Sequence, residues 1–220
     1  MTGGHEFQRA RSPQHKERRA VDLLAAARTL ASTHGARTVT LTAIATGAGM
    51  HVSGVRRYFD SREDILLALA AEQYEEWAEA VTGALELDTD GTPGSVAGVL
   101  AASLADRPLL CDLQAHVPLS LERESSPESV RAFKLTALTV TGRMAARISA
   151  VLPSLSPAAA LELVGGTVMI AAPLWQMAHP SPAAERVYAE DPRLDGAVLD
   201  FVPWLTRLVT ALATGLATAG

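Results

Sequence analysis

The stretch that decides the fold comprises residues 38–66 and reads TVTLTAIATGAGMHVSGVRRYFDSREDIL. Thr40 is a good N-cap for a short helix over residues 41–48, because a threonine hydroxyl can accept a hydrogen bond from a first-turn N–H. Gly49 supplies a turn, and a further short helix is expected over residues 51–59. The stretch therefore predicts two short helices joined by a tight glycine turn.

The second of these short helices is predicted to have one apolar and one polar face. With about 100° of rotation per residue, Val55 and Phe59 fall together, with Val52 at their flank, on the side that packs inward. The opposite arc holds the polar residues Ser53, Arg56 and Arg57. Two adjacent arginines suit a DNA major groove, because a guanidinium can pair with phosphate or with guanine O6 and N7. The pattern predicts a DNA-binding helix-turn-helix.

Helices are also predicted on both sides of this stretch. Residues 15–34 carry apolar side chains at helical spacing, and Gly35 is a good stop signal. Ser61 and Asp64 resemble a capping box that opens a long helix extending to about residue 85. Further helices are expected over residues 95–106, 108–116, 127–151, 157–179 and 195–217. Residues 180–193 are expected to form a proline-rich loop. The predicted class is all-α, with about nine helices.

Charge is divided unevenly along the chain. Residues 1–62 contain ten Lys and Arg against four Asp and Glu, whereas residues 63–220 contain nine against twenty. Such asymmetry is typical of a chain whose one end meets a polyanion, although a solvated basic tail is the simpler alternative. We therefore predict a DNA-binding domain over residues 1–62, with residues 1–14 flexible, and a second domain over residues 63–220.

Several other classes of protein are disfavoured by the sequence. Cys111 is the only cysteine, which excludes an intrachain disulfide and favours a reducing, cytoplasmic location. No nucleophile, zinc or phosphate-loop motif is present, so we expect no enzyme, no cofactor and no metal site. Residues 163–184 lack charged side chains, but three prolines interrupt them. We predict a buried interface helix there and no membrane span.

The residues of the helix-turn-helix resemble the TetR/AcrR-type family of bacterial transcriptional regulators. The resemblance covers about 50 residues, and its matching positions are Thr40, Ile44-Ala45, Ala48-Gly49-Met50, Val55, Tyr58-Phe59, Ser61-Arg62-Glu63 and Ile65-Leu66. The chain departs from the family at Arg56, where tyrosine is usual, and at Ser53, where glycine is frequent. The resemblance implies a sequence-specific DNA-binding regulator with an N-terminal helix-turn-helix and a C-terminal helical ligand-binding and dimerisation domain.

The resemblance also assigns contacts with DNA. It places Thr42 at the phosphates, and it places four residues at or near the base edges, namely His51, Val52, Ser53 and Arg57. It gives phosphate-backbone contacts to Arg56, Tyr58 and Arg62. Two alternatives remain open, since Tyr58 can pack inward with only its hydroxyl outside, and Arg62 can pair with Glu63 and Asp64.

For the second domain, the resemblance implies a homodimer through the helices at residues 157–179 and 195–217, and hence a palindromic operator. The alternative is that the same residues fill a monomer core. The resemblance further implies repression that is released by a small molecule, with an apolar or aromatic ligand favoured. The candidate ligand-contacting residues are Trp77, Cys111, Gln114, Phe133, Met144, Trp175 and Met177. The alternative function is a DNA-binding or architectural protein that senses no ligand.

Overall fold

The computed structural model describes residues 5–87, 90–194 and 196–219, all of which lie in helices or in the connections between them. No strand occurs in these ranges, and the predicted all-α class is confirmed. The α-helices are α1 His5–His34, α2 Leu41–Gly47, α3 Val52–Val55, α4 Arg62–Glu86, α5 Pro93–Ala105, α6 Pro108–His116, α7 Glu122–Glu124, α8 Pro127–Val151, α9 Pro157–Ala178, α10 Pro182–Glu190 and α11 Phe201–Ala219. Short 3-10 helices cover Ala36–Thr38 and Pro192–Leu194, and a π-helix covers Val117–Leu121.

The predicted loop over residues 180–193 is wrong, because it contains α10. The Ser181 hydroxyl accepts a hydrogen bond from the Ala184 N–H at 3.3 Å, and Pro182 occupies the first helical turn. Proline is well tolerated there, since that N–H has no partner within the helix. Of the prolines that favoured a loop, Pro182 therefore begins an α-helix. As a further difference, α11 begins at Phe201 and not at residue 195.

The first helix also differs from its predicted bounds. It begins at His5, ten residues before the predicted start, and residues such as Glu, Gln and Arg in this segment are good helix formers. Residues 1–4 of the predicted flexible tail lie outside the described residues. The prediction of about nine helices omits α7 and α10.

The described chain forms two compact units. The first unit extends to Ala71 and adds His116–Phe133, and the second holds Glu72–Ala115 and the chain from Lys134 onward. The inclusion of residues 116–133 in the first unit is a tertiary effect that a boundary placed at residue 62 does not anticipate. The predicted two-domain division at that residue stays a prediction.

In the first unit, α1 packs against α2, and α2 packs against α3. Fully buried side chains at the centre include Leu23, Ile44 and Val55, joined by Ile65 and Leu66 from α4. A Cβ added at Gly47 would lie 3.1 Å from the Ala26 Cβ. The small residues at these positions therefore let α1 and α2 approach closely, which offsets the low helix propensity of glycine.

In the second unit, α11 packs against both α5 and α9. Its core holds the buried Trp77 of α4 and the buried Leu205, Val209 and Ala213 of α11. A Cβ added at Gly166 would lie 2.7 Å from the Leu212 Cδ2, so the Leu212 side chain of α11 packs directly against Gly166 of α9. The two long apolar helices α9 and α11 are therefore packed together in this unit.

The helices α9 and α11 are long and apolar enough, by length and composition alone, to cross a membrane. The apolar window of α9 is 44% buried within the protein, and that of α11, which covers Phe201–Thr218, is 22% buried. Core helices of soluble proteins pass the same test, so this finding is weak evidence for a membrane span.

Candidate nucleic-acid interface

The turn after α2 is built around Gly49, whose φ of 64° lies in the left-handed region that favours glycine. The Met50 N–H donates to the Ala45 carbonyl at 2.8 Å, and the Gly49 N–H donates to the Thr46 carbonyl at 3.0 Å. These two hydrogen bonds form the glycine-dependent helix ending known as a Schellman motif. At the other end of α2, the Thr40 hydroxyl accepts from the Ala43 N–H at 3.1 Å, as predicted.

The helix after the turn is shorter than predicted. It covers Val52–Val55, and residues 56–58 continue as a turn. Ser53 and Gly54 are weak helix formers, yet the Tyr58 and Phe59 N–H groups still donate to the Val55 carbonyl, at 2.8 and 3.1 Å. The predicted faces are therefore largely retained, since Val55 is fully buried and Phe59 is half-buried.

The structure exposes most of the residues that were predicted to contact DNA. Thr42, His51, Ser53, Arg56 and Arg57 are exposed, and Val52 and Tyr58 are half-buried. The exposed residues follow one another along α2, the turn and α3, and they belong to one compact unit. The partial burial of Tyr58 agrees with the alternative in which its ring packs inward.

Arg62 differs from the other predicted DNA contacts. Its guanidinium donates to the Ala36 carbonyl at 2.8 Å and pairs with the Glu63 carboxylate, and the side chain is half-buried. These contacts attach the start of α4 to the 3-10 helix after α1. The structure thus gives Arg62 contacts within the protein, in line with the alternative of an ion pair with Glu63, and its contact with DNA stays a prediction.

Asp64 makes a connection that sequence reasoning missed. The predicted capping box is present, because the Asp64 N–H donates to the Ser61 hydroxyl at 3.0 Å and the Asp64 carboxylate accepts from the Ser61 N–H at 3.2 Å. The same carboxylate also accepts from the Ser126 N–H at 2.8 Å, just before α8. Burial raises the pKa of Asp64, but hydrogen bonds from Ser126, Ser129 and Ser61 outweigh burial and hold the pKa below its usual value. One buried carboxylate therefore joins the starts of α4 and α8.

We predict that Asp64→Asn destabilises the fold by about 1–3 kcal/mol near neutral pH, because the amide nitrogen must face the partly buried N–H of Ser61 or Ser126, which then lacks an acceptor. The folded-state pKa lies below the unfolded one, so the carboxylate stabilises the fold above the unfolded pKa. That stabilisation is lost as the pH falls through the folded-state pKa. The difference between wild type and variant should therefore shrink below about pH 4. Urea unfolding across this pH range measures it.

The matched control for this prediction is Asp22→Asn in the same unit, where the aspartate side chain is 40% exposed. An exposed substitution of this kind is expected to change stability by less than about 0.5 kcal/mol. A wild-type advantage that stays constant from neutral to acid pH would remove the ionised Asp64 from this account.

The predicted ligand-contacting residues are only partly brought together. Three of them line a narrow cavity in the second unit, whose full lining is Tyr74, Trp77, Leu104, Leu110, Cys111, Gln114, Val168, Ala171 and Ala172. The cavity has about 10 Å³ of free space, which is near the minimum for one water molecule. Burial raises the pKa of the Cys111 thiol to about 12, so this thiol is protonated and unreactive at neutral pH.

The other four candidates lie elsewhere. Met144 is fully buried away from the cavity lining, and Met177 is exposed. Trp175 stacks on His179 with ring centroids 3.8 Å apart and meets Phe201 edge-on. Phe133 is buried in the first unit. These four residues do not line this cavity.

One polar group of the cavity lining is unsatisfied. Among the buried polar atoms of the described residues, the Gln114 Nε2 is one that lacks a hydrogen-bond partner. The Trp77 indole N–H, in contrast, donates to the Ser103 hydroxyl at 2.9 Å. A molecule that entered this cavity would therefore meet one free donor among apolar and aromatic side chains.

Comparison with known proteins gives matches over nearly the whole chain. Residues 23–69 match a family model described as bacterial regulatory proteins of the tetR family. Residues 71–220 match a model described as a tetracyclin repressor-like C-terminal domain. No curated protein matches the sequence.

Three solved structures illustrate the similarity of fold. A tetR-family regulator from Mesorhizobium loti is 18% identical, with a TM-score of 0.52 and coverage of 93% of this chain and 97% of that one. RolR in complex with resorcinol is 19% identical, with a TM-score of 0.55 and coverage of 94% and 97%. FadR from Bacillus subtilis in complex with stearoyl-CoA is 17% identical, with a TM-score of 0.51 and coverage of 89% and 98%. At these identities, the likenesses show a shared fold.

Proposed function

Because this chain belongs to the TetR family of DNA-binding transcriptional regulators, we propose that it is a repressor released from a palindromic operator by a small molecule. The observation that carries the proposal is the exposed arginine pair, Arg56 and Arg57, which directly follows the buried Val55 at the end of α3, the helix after the Gly49 turn. The ten basic residues among the first 62 supply an attractive field for DNA. Binding to chromosomal DNA implies a cytoplasmic location.

We assign Arg56 to a phosphate contact, and Arg56→Ala tests the assignment. The variant should bind weaker to every duplex, and the slope of log affinity against log salt should fall by about one unit, because one fewer counterion is released. Fluorescence anisotropy over a range of salt concentrations measures both quantities.

Arg186→Ala is the matched control for this test, since Arg186 is an exposed arginine of the second unit and its removal changes the net charge equally. The control should leave the salt slope unchanged. If Arg56→Ala and the control gave the same slope as wild type, Arg56 would not contact phosphate.

A homodimer would present two copies of α3 to two half-sites about 34–36 Å apart. Apolar side chains on the exposed sides of two helices support this arrangement: they are Leu161, Met169 and Met177 on α9 and Trp204 and Leu208 on α11. A monomer that left these side chains in water would carry an unusual apolar surface. We therefore propose that α9 and α11 form the dimer interface, over the predicted segments 157–179 and 195–217.

For the effector, we propose an uncharged, largely apolar molecule that enters the cavity beside Gln114. The cavity lining contains no charged side chain, so a charged ligand would lose its hydration without gaining a partner. Resorcinol, the ligand in the solved RolR complex, is a small, uncharged aromatic molecule. Because the free volume is small, the cavity has to widen as the ligand enters.

Gln114→Leu tests this proposal with two simple aromatic probes, acetophenone and toluene. Acetophenone carries a carbonyl acceptor for the Gln114 amide, whereas toluene carries none. We expect the variant to bind acetophenone about three- to tenfold more weakly, as for the loss of one hydrogen bond, and to bind toluene as well as wild type does. Calorimetric titration measures both affinities. An equal loss for both probes would contradict a hydrogen bond from Gln114.

The alternative function is DNA binding without a ligand. A gel-shift assay with DNA from upstream of the gene first tests for binding, and fractionated metabolites added to the shifted complex then test for release. Release by a fraction supports the ligand-responsive repressor. A shifted complex that no fraction releases would favour the ligand-independent alternative.

A further inference from the structure

The side chains of His51 and Ser53 form an exposed pair beside α3. The backbone N–H of Ser53 points at the His51 Nδ1 at 3.3 Å, and the Ser53 Oγ lies 2.7 Å from the same nitrogen. Both residues are exposed. A single ring nitrogen therefore faces a backbone donor and a hydroxyl at the same time.

The positions of the protons follow from the backbone. A backbone N–H can only donate, so the nitrogen that it faces must carry a lone pair and no proton. The neutral imidazole then carries its proton on Nε2. Because Nδ1 has no proton to give, the short contact with the Ser53 Oγ requires that the serine hydroxyl donates to Nδ1. The proton of this hydroxyl is thereby directed towards the imidazole.

A serine hydroxyl ordinarily both donates and accepts, which makes it a poor discriminator between bases. With its proton committed to His51, the Ser53 Oγ has only lone pairs left for an outside partner. Phosphate oxygens are acceptors, and so are the O6 and N7 of guanine and the O4 of thymine. Among the groups of the DNA bases, only an amine can donate to such an oxygen. In the major groove, the amines are the N6 of adenine and the N4 of cytosine.

We infer that His51 fixes Ser53 as a hydrogen-bond acceptor, so that Ser53 selects adenine or cytosine at one position of each half-site. His51 acts here as a positioning residue for the hydroxyl, in addition to capping α3. The inference rests on the proposed function, because it requires α3 to lie in the major groove. The expected base preference distinguishes Ser53 from Arg56, because a residue that contacts phosphate confers no base preference.

In vitro selection from randomised duplex DNA tests the inference with four proteins: wild type, Ser53→Ala, His51→Ala and His51→Asn. Wild type should select adenine or cytosine by about three- to tenfold at one position per half-site, as one hydrogen bond allows. Ser53→Ala should lose that preference while the other positions stay unchanged. His51→Ala frees the hydroxyl to donate, so guanine and thymine should be accepted at the same position.

His51→Asn is the conservative variant in this series. Asparagine is a favoured N-cap, and its carbonyl oxygen can accept from Ser53 as the imidazole does, so the preference should return. Thermal unfolding of all four proteins checks that they remain folded. The inference alone would be overturned if the preference for adenine or cytosine survived in His51→Ala. It would also be overturned if no position showed a preference for these bases that depends on Ser53. A wild type that selects no motif would overturn this inference and the proposed function together.

Discussion

The double variant Met169→Glu and Leu208→Glu is expected to be a folded monomer. Its affinity for a palindromic operator should be lower than that of wild type by on the order of 100-fold or more. Met169 on α9 is 74% exposed and Leu208 on α11 is 37% exposed, so both side chains reach the surface of the second unit. In a dimer, the two substitutions bring four like charges into an apolar interface, where they lose hydration without gaining partners. Two separate subunits also lose the high effective concentration that links the half-sites.

Leu138→Glu is the matched control for this double variant. Leu138 lies on α8 and is 71% exposed, so it matches Met169 in exposure and lies outside the proposed interface. Light scattering after gel filtration gives the mass, and fluorescence anisotropy gives the operator affinity. The control should remain dimeric and bind normally. A double variant that keeps the dimer mass would show that α9 and α11 do not form the interface.

Trp77→Ala is expected to lower the free energy of unfolding by about 3–5 kcal/mol, the usual range for removing a buried large aromatic side chain. Trp77 is fully buried, donates its indole N–H to Ser103, and meets Tyr74 edge-on with ring centroids 6.0 Å apart. The Ser103 hydroxyl also donates to the Leu100 carbonyl at 3.0 Å, so it keeps a partner in the variant. Most of the loss should therefore come from the empty space and not from an unsatisfied serine.

Trp77→Phe separates these contributions, because phenylalanine fills most of the space and removes the indole N–H. Its loss of stability should be clearly smaller than that of Trp77→Ala. Urea unfolding monitored by circular dichroism measures both variants. If both lost the same free energy, the hydrogen bond to Ser103 would dominate, and if Trp77→Ala lost less than about 1 kcal/mol, the described burial would be contradicted.

Local signals explain why much of the helix-turn-helix could be predicted. Thr40, Gly49 and the Ser61–Asp64 pair act through hydrogen bonds to residues within five positions along the chain. Such contacts depend on residue type and spacing, both of which are visible in the sequence. The burial of Val55 beside the exposed Arg56 and Arg57 likewise follows from residue type and short spacing along the chain.

Contacts between residues that lie far apart in the chain could not be predicted from the sequence. The Asp64 carboxylate meets Ser126, which lies 62 positions away, and the Arg62 guanidinium reaches Ala36, 26 positions away. Neither partner can be chosen from local spacing. The candidate ligand contacts show the same limit, since Trp77, Cys111 and Gln114 meet at one cavity while Met144 and Trp175 do not. Which of several apolar side chains share a cavity is decided by tertiary packing.

In the proposed complex, the exposed face of α2 and α3, together with Arg56 and Arg57, binds DNA at a palindromic operator. The most direct measurement is a gel-shift assay of the purified protein with DNA from upstream of its own gene, followed by footprinting of the shifted fragment. We predict a discrete complex that weakens steeply with salt and protects two half-sites related by two-fold symmetry. Failure to shift any fragment at low salt, or protection of a single asymmetric site, would contradict the account.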